Sequence, residues 1–188
     1  MNEMLAYSIH LGNDKNKTKK AKEIAKNNQS NTTSFSNNSI QNLAQLSKAN
    51  NHNLRKYDNK TERISVIYGT GNLINDVQNL YLQEFENARI EYNNKQTRED
   101  RKIQNYFEHI SKNSNRDLCC ELIIELGDMN FWQDKTKEYC YKMVQVYKEQ
   151  LQDFVTTVPQ FKIANAVIHF DETSPHLHII GIPIKERI

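Results

Sequence analysis

Glycine, proline and cysteine are scarce in this chain of 188 residues, which has 5 glycines, 3 prolines and 3 cysteines. So few glycines and prolines exclude collagen-like and proline-rich sequences. Cys119, Cys120 and Cys140 lack Cys-x-x-Cys spacing and make a poor disulfide framework, so we expect buried, reduced thiols. No apolar run approaches the ~18 residues of a membrane-spanning helix. Met1–Leu5 also lacks the start of a secretory signal, so we expect a cytoplasmic protein without a membrane segment.

Charge is unevenly spread along the chain, although the formal net charge is only +2. Six lysines and one glutamate lie between Lys15 and Lys26, and Asn27–Ser39 is almost wholly polar. We interpret 13–51 as a polar, Lys- and Asn-rich insertion. For its lysines, a phosphate-binding arm and a merely solvated helix face both remain open. The length otherwise fits one domain with a substantial core, spanning 1–188.

Five short apolar or alternating runs predict strands. They are residues 5–11, 64–68, 120–126, 163–170 and 177–184. Apolar residues at three- and four-residue steps predict long helices over about 73–93 and 134–154, and a more exposed helix over Thr97–Lys112. The last two strands are joined by a short turn and must be antiparallel. The fold class is therefore α/β (α+β), with a five-stranded, mainly antiparallel sheet flanked by helices.

Three of the six histidines lie within the ten residues HFDETSPHLH, 169–178. His176 and His178 are two residues apart on a strand, so their side chains leave the same face. The DETSP turn returns the chain alongside His169, and all three imidazoles then converge. Such a cluster suits a divalent metal, and Glu172 is the acidic residue that we expect to take part directly. Asp171 alternatively starts the turn.

This ten-residue string resembles the histidine motif of the Mob/Pre plasmid mobilisation relaxases, the MobV class of HUH endonucleases. A second resemblance is His52-Asn53-Leu54-Arg55, at the end of a helical stretch over 40–50, which is similar to the His-Asn-x-Arg motif of that family. Arg63 and Tyr68 have the spacing of the family's Arg-x-His-Leu-Asn-Tyr stretch, but Ser65 and Ile67 replace its His and Asn.

The resemblance implies a relaxase that nicks and rejoins one DNA strand at an origin of transfer by transesterification, with a covalent 5′-phosphate intermediate. By the same resemblance, His52 is the nucleophile, with Tyr68 as the fallback. Arg55, expected one turn away on the same helix, would neutralise the phosphate. His169, His176 and His178 would hold a metal ion. The first choice is Mn²⁺, and Mg²⁺ or another transition metal is the alternative. The protein would act in the bacterial cytoplasm, and the family's C-terminal region would lie beyond this chain.

The expected partner is single-stranded or hairpin origin DNA, together with relaxosome accessory and coupling proteins, and a second copy through the missing C-terminal region. Phosphate contacts are expected from basic residues near the first two strands. These are Lys15, Lys17, Lys19, Lys20, Lys22, Lys56, Lys60 and Arg63.

Three alternatives remain open. A rolling-circle replication initiator of the same fold would use a tyrosine nucleophile. A non-catalytic DNA-binding module would hold a closed, four-ligand zinc. A two-His-one-carboxylate iron site begins with the same His169-x-Asp171 spacing.

Overall fold

A computed structural model describes residues 7–11, 39–57, 61–113 and 115–184 of the chain. Within them lie six strands. They are β1 Tyr7–Leu11, β2 Ser39–Ile40, β3 Ile64–Tyr68, β4 Cys119–Leu126, β5 Phe161–His169 and β6 His176–Pro183.

Every pair of neighbouring strands in the sheet is antiparallel, in the order β1-β4-β6-β5-β3, with the short β2 added to β4. The predicted fold class, a five-stranded antiparallel sheet with flanking helices, is thereby confirmed. β5 and β6 lie inside the sheet and are almost fully buried, as expected from their apolar sequences. Pro183 closes β6, where its missing N–H interrupts no ladder.

The described residues also contain six α-helices. They are α1 Leu43–Asn53, α2 Leu73–Asn94, α3 Tyr106–Ser111, α4 Met129–Trp132, α5 Lys137–Tyr141 and α6 Met143–Thr157. The first three begin at asparagines whose side chains accept the N–H of the residue three positions on, namely Asn42, Asn72 and Asn105. This side-chain cap satisfies an amide that the helix itself leaves unpaired. No helix in the described part of the chain is long and apolar enough to cross a membrane.

Helices cover both faces of the sheet, and each face has its own core. On one face, Ile180 of β6 packs with α1, α2 and α3 through residues such as Leu46 and Val77. On the other face, Leu177 and Ile179 of β6 pack with α4 and α6. Because side chains alternate along a strand, His176 and His178 lie on the face of Ile180, beneath α1.

Two predicted helices differ in the structure. The segment 134–154 is divided into α5 and α6, with Lys142 between them. The segment 97–112 is mostly exposed, as predicted, but it holds a 3₁₀ turn at Glu99–Arg101 and only the short α3, whose buried side is formed by Phe107 and Ile110. In the segment 97–112, the part that carries Phe107 and Ile110 is α-helical because burial of these two side chains stabilises it, whereas the charged local sequence alone does not.

The C-terminal end of the predicted insertion belongs to the fold. Residues 39–51 contain β2 and most of α1, and Leu46 has no exposed surface. Residues 12–38, with Lys15, Lys17, Lys19, Lys20 and Lys22, lie outside the described residues, as does Lys60. Cys119 is buried as predicted, whereas Cys120 and Cys140 are only partly buried, and all three are free.

Candidate metal and phosphate site

The pairing of β5 with β6 brings three histidines together. His169 lies directly opposite His176, and His178 follows two residues later on the same face. The ring centroids are 5.2 Å apart for His169 and His176, 4.2 Å for His169 and His178, and 4.9 Å for His176 and His178. The short 170–175 connection therefore folds as the sequence predicts, and it is the strand register that makes the rings neighbours.

Each of these histidines has one ring nitrogen bonded to a fixed acceptor outside the cluster. His169 donates from Nε2 to the Asn53 carbonyl at 2.9 Å, and His176 donates from Nδ1 to the Ser174 carbonyl at 2.9 Å. His178 donates from Nδ1 to the Glu121 carboxylate at 2.7 Å. Since a neutral imidazole has one donor and one acceptor, the other nitrogen of each ring keeps its lone pair.

Two of those lone pairs are buried without a hydrogen-bond partner, on Nδ1 of His169 and Nε2 of His178. A buried polar atom without a partner costs free energy. The lone pair of a neutral imidazole can bind a metal ion, and histidine is the commonest metal ligand in proteins. Two overlapping groups have ligand atoms within 4.8 Å of one another, one formed by His52, His169 and His178 and the other by His169, Glu172 and His176. The donor set of this site therefore fits a divalent cation.

His52 stands over this cluster at the end of α1. Its ring centroid is 5.4 Å from that of His169 and 5.6 Å from that of His178. Unlike the other three, its side chain is half exposed, at 52%. The last turn of α1 thus presents one solvent-accessible imidazole beside three buried ones.

Arg55 differs from the expectation, because α1 ends at Asn53 and Arg55 lies beyond the helix with φ +46°. The amides of Arg55 and Lys56 return to the carbonyls of His52 and Asn51, which is a Schellman helix end with arginine in the position that glycine usually takes.

The guanidinium of Arg55 is fully engaged within the site. It makes a two-point contact with Asp171 at 2.7 and 2.9 Å and a further bond to Glu172 at 2.7 Å. Its Nη1 also donates to the carbonyl of His52 at 2.8 Å. Arg55 therefore ties the end of α1 to the histidine turn, and its contact with a phosphate stays a prediction. These charge-assisted bonds offset the left-handed backbone, which costs about 1–2 kcal/mol in a residue other than glycine.

Glu172 reaches every imidazole of the site except that of His178. Its Oε1 is 3.7 Å from Nδ1 of His169 and 3.9 Å from Nε2 of His52, and its Oε2 is 3.6 Å from Nε2 of His176. The structure thus brings Glu172 to the centre of the site, while Asp171 takes the structural bond to Arg55.

Burial lowers the pKa values of three imidazoles of the site, those of His52, His169 and His176. Burial and the neighbouring His178 hold the pKa values of His169 and His176 below the usual range. Burial, His178 and Arg55 also lower the pKa of His52. For Glu172, burial acts to raise the pKa, but the hydrogen bond from Arg55 and the charge of His176 outweigh it, so the pKa lies below its usual value. Neutral imidazoles beside an ionised carboxylate are the protonation states that bind a cation.

Tyr68 lies away from this cluster. It pairs with Ala166, three residues along β5 from His169, which is roughly 10 Å at the rise of a strand. Its side chain is half exposed.

Lys56 and Arg63 are the two predicted phosphate contacts that fall within the described residues. Lys56 is exposed directly after Arg55. Arg63 is one-third exposed and lies 3.7 Å from the carboxylate of Asp171.

A cleft opens on each side of the site. The first has a volume of about 490 Å³ and is lined by Glu172, Asp171, Arg63, Tyr141 and other residues of α5. The second, of about 330 Å³, lies between α1 and β4 and includes His52 in its wall. His52 therefore lines the second cleft, and Glu172, 3.9 Å from its imidazole, lines the first.

Asn53 and Glu121 belong to the site although the sequence analysis gave neither a role. Asn53 has 1% of its surface exposed, and its amide donates to Glu121 at 2.8 Å while its carbonyl holds His169. A signal was present for Glu121, since a carboxylate in the apolar run of β4 requires a partner when buried. The partner itself, 57 residues away, was not visible in the sequence.

Residues 41–187 match the family model Mob_Pre, which is described as plasmid recombination enzyme. No protein of curated function matches the chain significantly.

Among solved structures, the chain is similar to Mn-bound crystal structures of the MobM relaxase domain (MOBV; Mob_Pre) bound to plasmid pMV158 oriT DNA of 22 nucleotides. Two of them share 20% and 19% sequence identity with it, with TM-scores of 0.45 and 0.46. A third carries a 3′-thiophosphate on the DNA, with 20% identity and a TM-score of 0.45. Each similarity covers 78% of this chain and 68% of the other.

Proposed function

Because the chain belongs to the Mob_Pre family of plasmid recombination enzymes, we propose that it nicks and rejoins one DNA strand at the origin of transfer of a plasmid or related element. The observation that carries this proposal is the placement of one exposed imidazole, His52, beside three buried imidazoles, two of which have a buried ring nitrogen without a hydrogen-bond partner. This arrangement can hold a phosphate between a nucleophile and a cation.

We assign His169, His176 and His178 as the metal ligands, with Glu172 next to them. These three are buried and have their second nitrogens anchored, as metal-bound histidines typically do. His52 differs, because its side chain is half exposed and its Nδ1 faces a donor, Nη1 of Arg55, instead of an acceptor, although its ring is close enough to ligate. A mixed imidazole and carboxylate set suits Mn²⁺ and related transition metals. When bound, the metal would withdraw charge from the non-bridging oxygens of the scissile phosphate.

His52 is the proposed nucleophile. Arg55 can only donate, and its Nη1 is 3.5 Å from Nδ1 of His52, which favours the tautomer with hydrogen on Nε2. The nearest carboxylate to that hydrogen is Glu172, at 3.9 Å. We propose that Glu172 removes this proton as the nitrogen–phosphorus bond forms, because Nε2 has no lone pair for phosphorus while it carries hydrogen.

Attack by Nε2 forms a nitrogen–phosphorus bond to the 5′ end and breaks the bond from phosphorus to the 3′ oxygen. The departing oxygen takes up one proton, so the proton lost from the imidazole is balanced by the new 3′ hydroxyl. Joining is the reverse reaction. No activated water is needed, since the nucleophile belongs to the protein.

Phosphates on either side of the nick are proposed to meet Lys56, Arg63 and the lysines of 15–22 and Lys60. If they do, affinity for DNA falls steeply as salt is raised.

Cleavage of end-labelled, single-stranded origin DNA in Mn²⁺ tests the proposal. We expect a covalent protein–DNA adduct from the wild type and from Tyr68→Phe, but not from His52→Ala or His178→Ala. Mn²⁺ binding, followed separately by calorimetry, should be retained in His52→Ala and weakened in His178→Ala. An adduct that survives His52→Ala and disappears in Tyr68→Phe would favour the replication-initiator alternative. A wild type that binds metal but forms no adduct would favour the structural-metal alternative.

A further inference from the structure

A third cleft lies away from the histidine cluster of the site, between the C-terminal half of α2 and α3. This α2–α3 groove has a volume of about 580 Å³, and its wall includes Phe85, Tyr92, Arg101, Tyr106, His109 and Arg116. Among the described residues, no carboxylate lines it. The groove therefore combines aromatic faces with positive charge.

The aromatic side chains form one connected wall. Tyr106 packs against Phe85 with ring centroids 5.3 Å apart and stacks on His109 at 6.1 Å with nearly parallel planes. Tyr92, in the last part of α2, is 44% exposed. Exposed ring faces of this kind are platforms on which unpaired bases stack.

The arginines differ in how far their charge is compensated. Arg89, at the back of the groove, is neutralised by Glu86 at 2.6 and 2.8 Å and donates to the carbonyl of Ile103. Arg101 and Arg116 are exposed, and Arg116 has only a hydroxyl contact, to Tyr106 at 3.4 Å. Neither is paired with a carboxylate among the described residues. Two positive charges thus remain available for an anionic ligand.

The helix itself gives the distance from the nick. The amide of Leu73, at the start of α2, is bonded to Asn50 of α1 at 3.0 Å, next to His52. Phe85 and Tyr92 follow 12 and 19 residues later, so they lie about 18–28 Å along α2 at 1.5 Å per residue. At about 3.4 Å per nucleotide, that distance corresponds to roughly five to eight nucleotides of one strand.

We propose that the α2–α3 groove binds single-stranded DNA that flanks the nick, with bases on its aromatic wall and phosphates at Arg101 and Arg116. This inference rests on the proposed function for the identity of the DNA. An unpaired strand is the occupant that needs both features, because a duplex hides its base faces.

Binding of fluorescent oligothymidylate of about 30 nucleotides, a length that reaches both sites, tests the groove by anisotropy at several salt concentrations. We expect Tyr92→Ala to weaken binding about fivefold to a hundredfold and Tyr92→Phe to bind like the wild type, because phenylalanine keeps the stacking face. Arg101→Glu should weaken binding about tenfold and reduce the salt slope by roughly 0.7, the value for one phosphate of a single strand.

The matched control for charge is Arg98→Glu. Arg98 is exposed, lies three residues before Arg101, is paired with Asp100 at 2.5 Å and does not line the groove. Its reversal changes the net charge equally, so equal weakening by Arg98→Glu and Arg101→Glu would overturn the proposal. Unchanged binding in both Tyr92→Ala and Arg101→Glu would also overturn it and would favour a protein partner for this groove.

These experiments distinguish a failure of the nicking proposal from a failure of the groove proposal. Origin DNA too short to reach the groove should form adduct equally well with the wild type, Tyr92→Ala and Arg101→Glu. Absence of adduct in the wild type, with the binding losses intact, would refute the nicking function and leave the groove as a DNA site.

Discussion

At the scale of single residues, Glu121 decides which nitrogen of His178 faces the site. Its carboxylate accepts two hydrogen bonds, one from Nδ1–H of His178 and one from the side-chain amide of Asn53. Burial acts to raise the pKa of Glu121, but His178 and Asn53 outweigh it, and the pKa lies below its usual value. The charged carboxylate makes the imidazole a stronger donor to a cation.

We expect Glu121→Gln to lower the affinity for Mn²⁺ about tenfold to a hundredfold, because glutamine keeps the hydrogen bond but loses the charge. Calorimetric titration of metal into the purified protein measures this directly, without reference to cleavage. Glu138→Gln, the same change at an exposed position of α5, is the control and should bind as the wild type. Equal affinities for all three proteins would show that Glu121 has no influence on the site.

At the scale of elements, the 170–175 connection is held from both faces of the sheet. Arg55, which follows α1, binds Asp171 from one side. Tyr147 of α6, fully buried, donates its hydroxyl to the carbonyl of Pro175 at 2.6 Å from the other. The turn that links the ligand histidines is therefore fixed by two elements distant in sequence.

Removal of the hydroxyl in Tyr147→Phe leaves the Pro175 carbonyl without that donor. We expect the free energy of unfolding to fall by about 1–3 kcal/mol, the cost of an unsatisfied buried polar group. Urea denaturation followed by circular dichroism provides the measurement. Tyr139→Phe, at a 43% exposed tyrosine, should change stability by less than about 0.5 kcal/mol. Equal stabilities for the two variants would show that the bond to Pro175 contributes nothing.

At the scale of the whole molecule, one sheet separates two cores that share its strands. β6 contributes Ile180 to the core with α2 and Ile179 to the core with α6. The single tryptophan, Trp132, is buried in the second core and reports on that face alone. Loss of packing on one face should therefore also lower the stability of the other face, because the strands must unfold together.

Leu80→Ala, in the α2 core, tests this coupling. We expect the urea midpoint seen by Trp132 fluorescence to fall, corresponding to about 2–5 kcal/mol, although the tryptophan lies across the sheet. Leu82→Ala, at a 56% exposed position of the same helix, should change it by less than about 0.5 kcal/mol. A fluorescence midpoint that stays constant in Leu80→Ala while circular dichroism shifts would show that the two faces unfold independently.

The sequence by itself determined the strands and the place of the histidines. Period-two alternation places His176 and His178 on one face, and a short connection forces His169 beside them. These are local rules, in which a residue's direction depends on its near neighbours. For the same reason the extent of helix in the charged segment 97–112 was predicted wrongly, since only the part whose Phe107 and Ile110 pack in the core with the distant α2 is α-helical.

Only the tertiary structure decided which groups complete the site. It placed His52 over the cluster, directed Arg55 to two carboxylates 116 and 117 residues away, and supplied Glu121 to His178. Hydrogen bonds across such separations depend on how α1 and β4 pack around β6, which no local periodicity encodes.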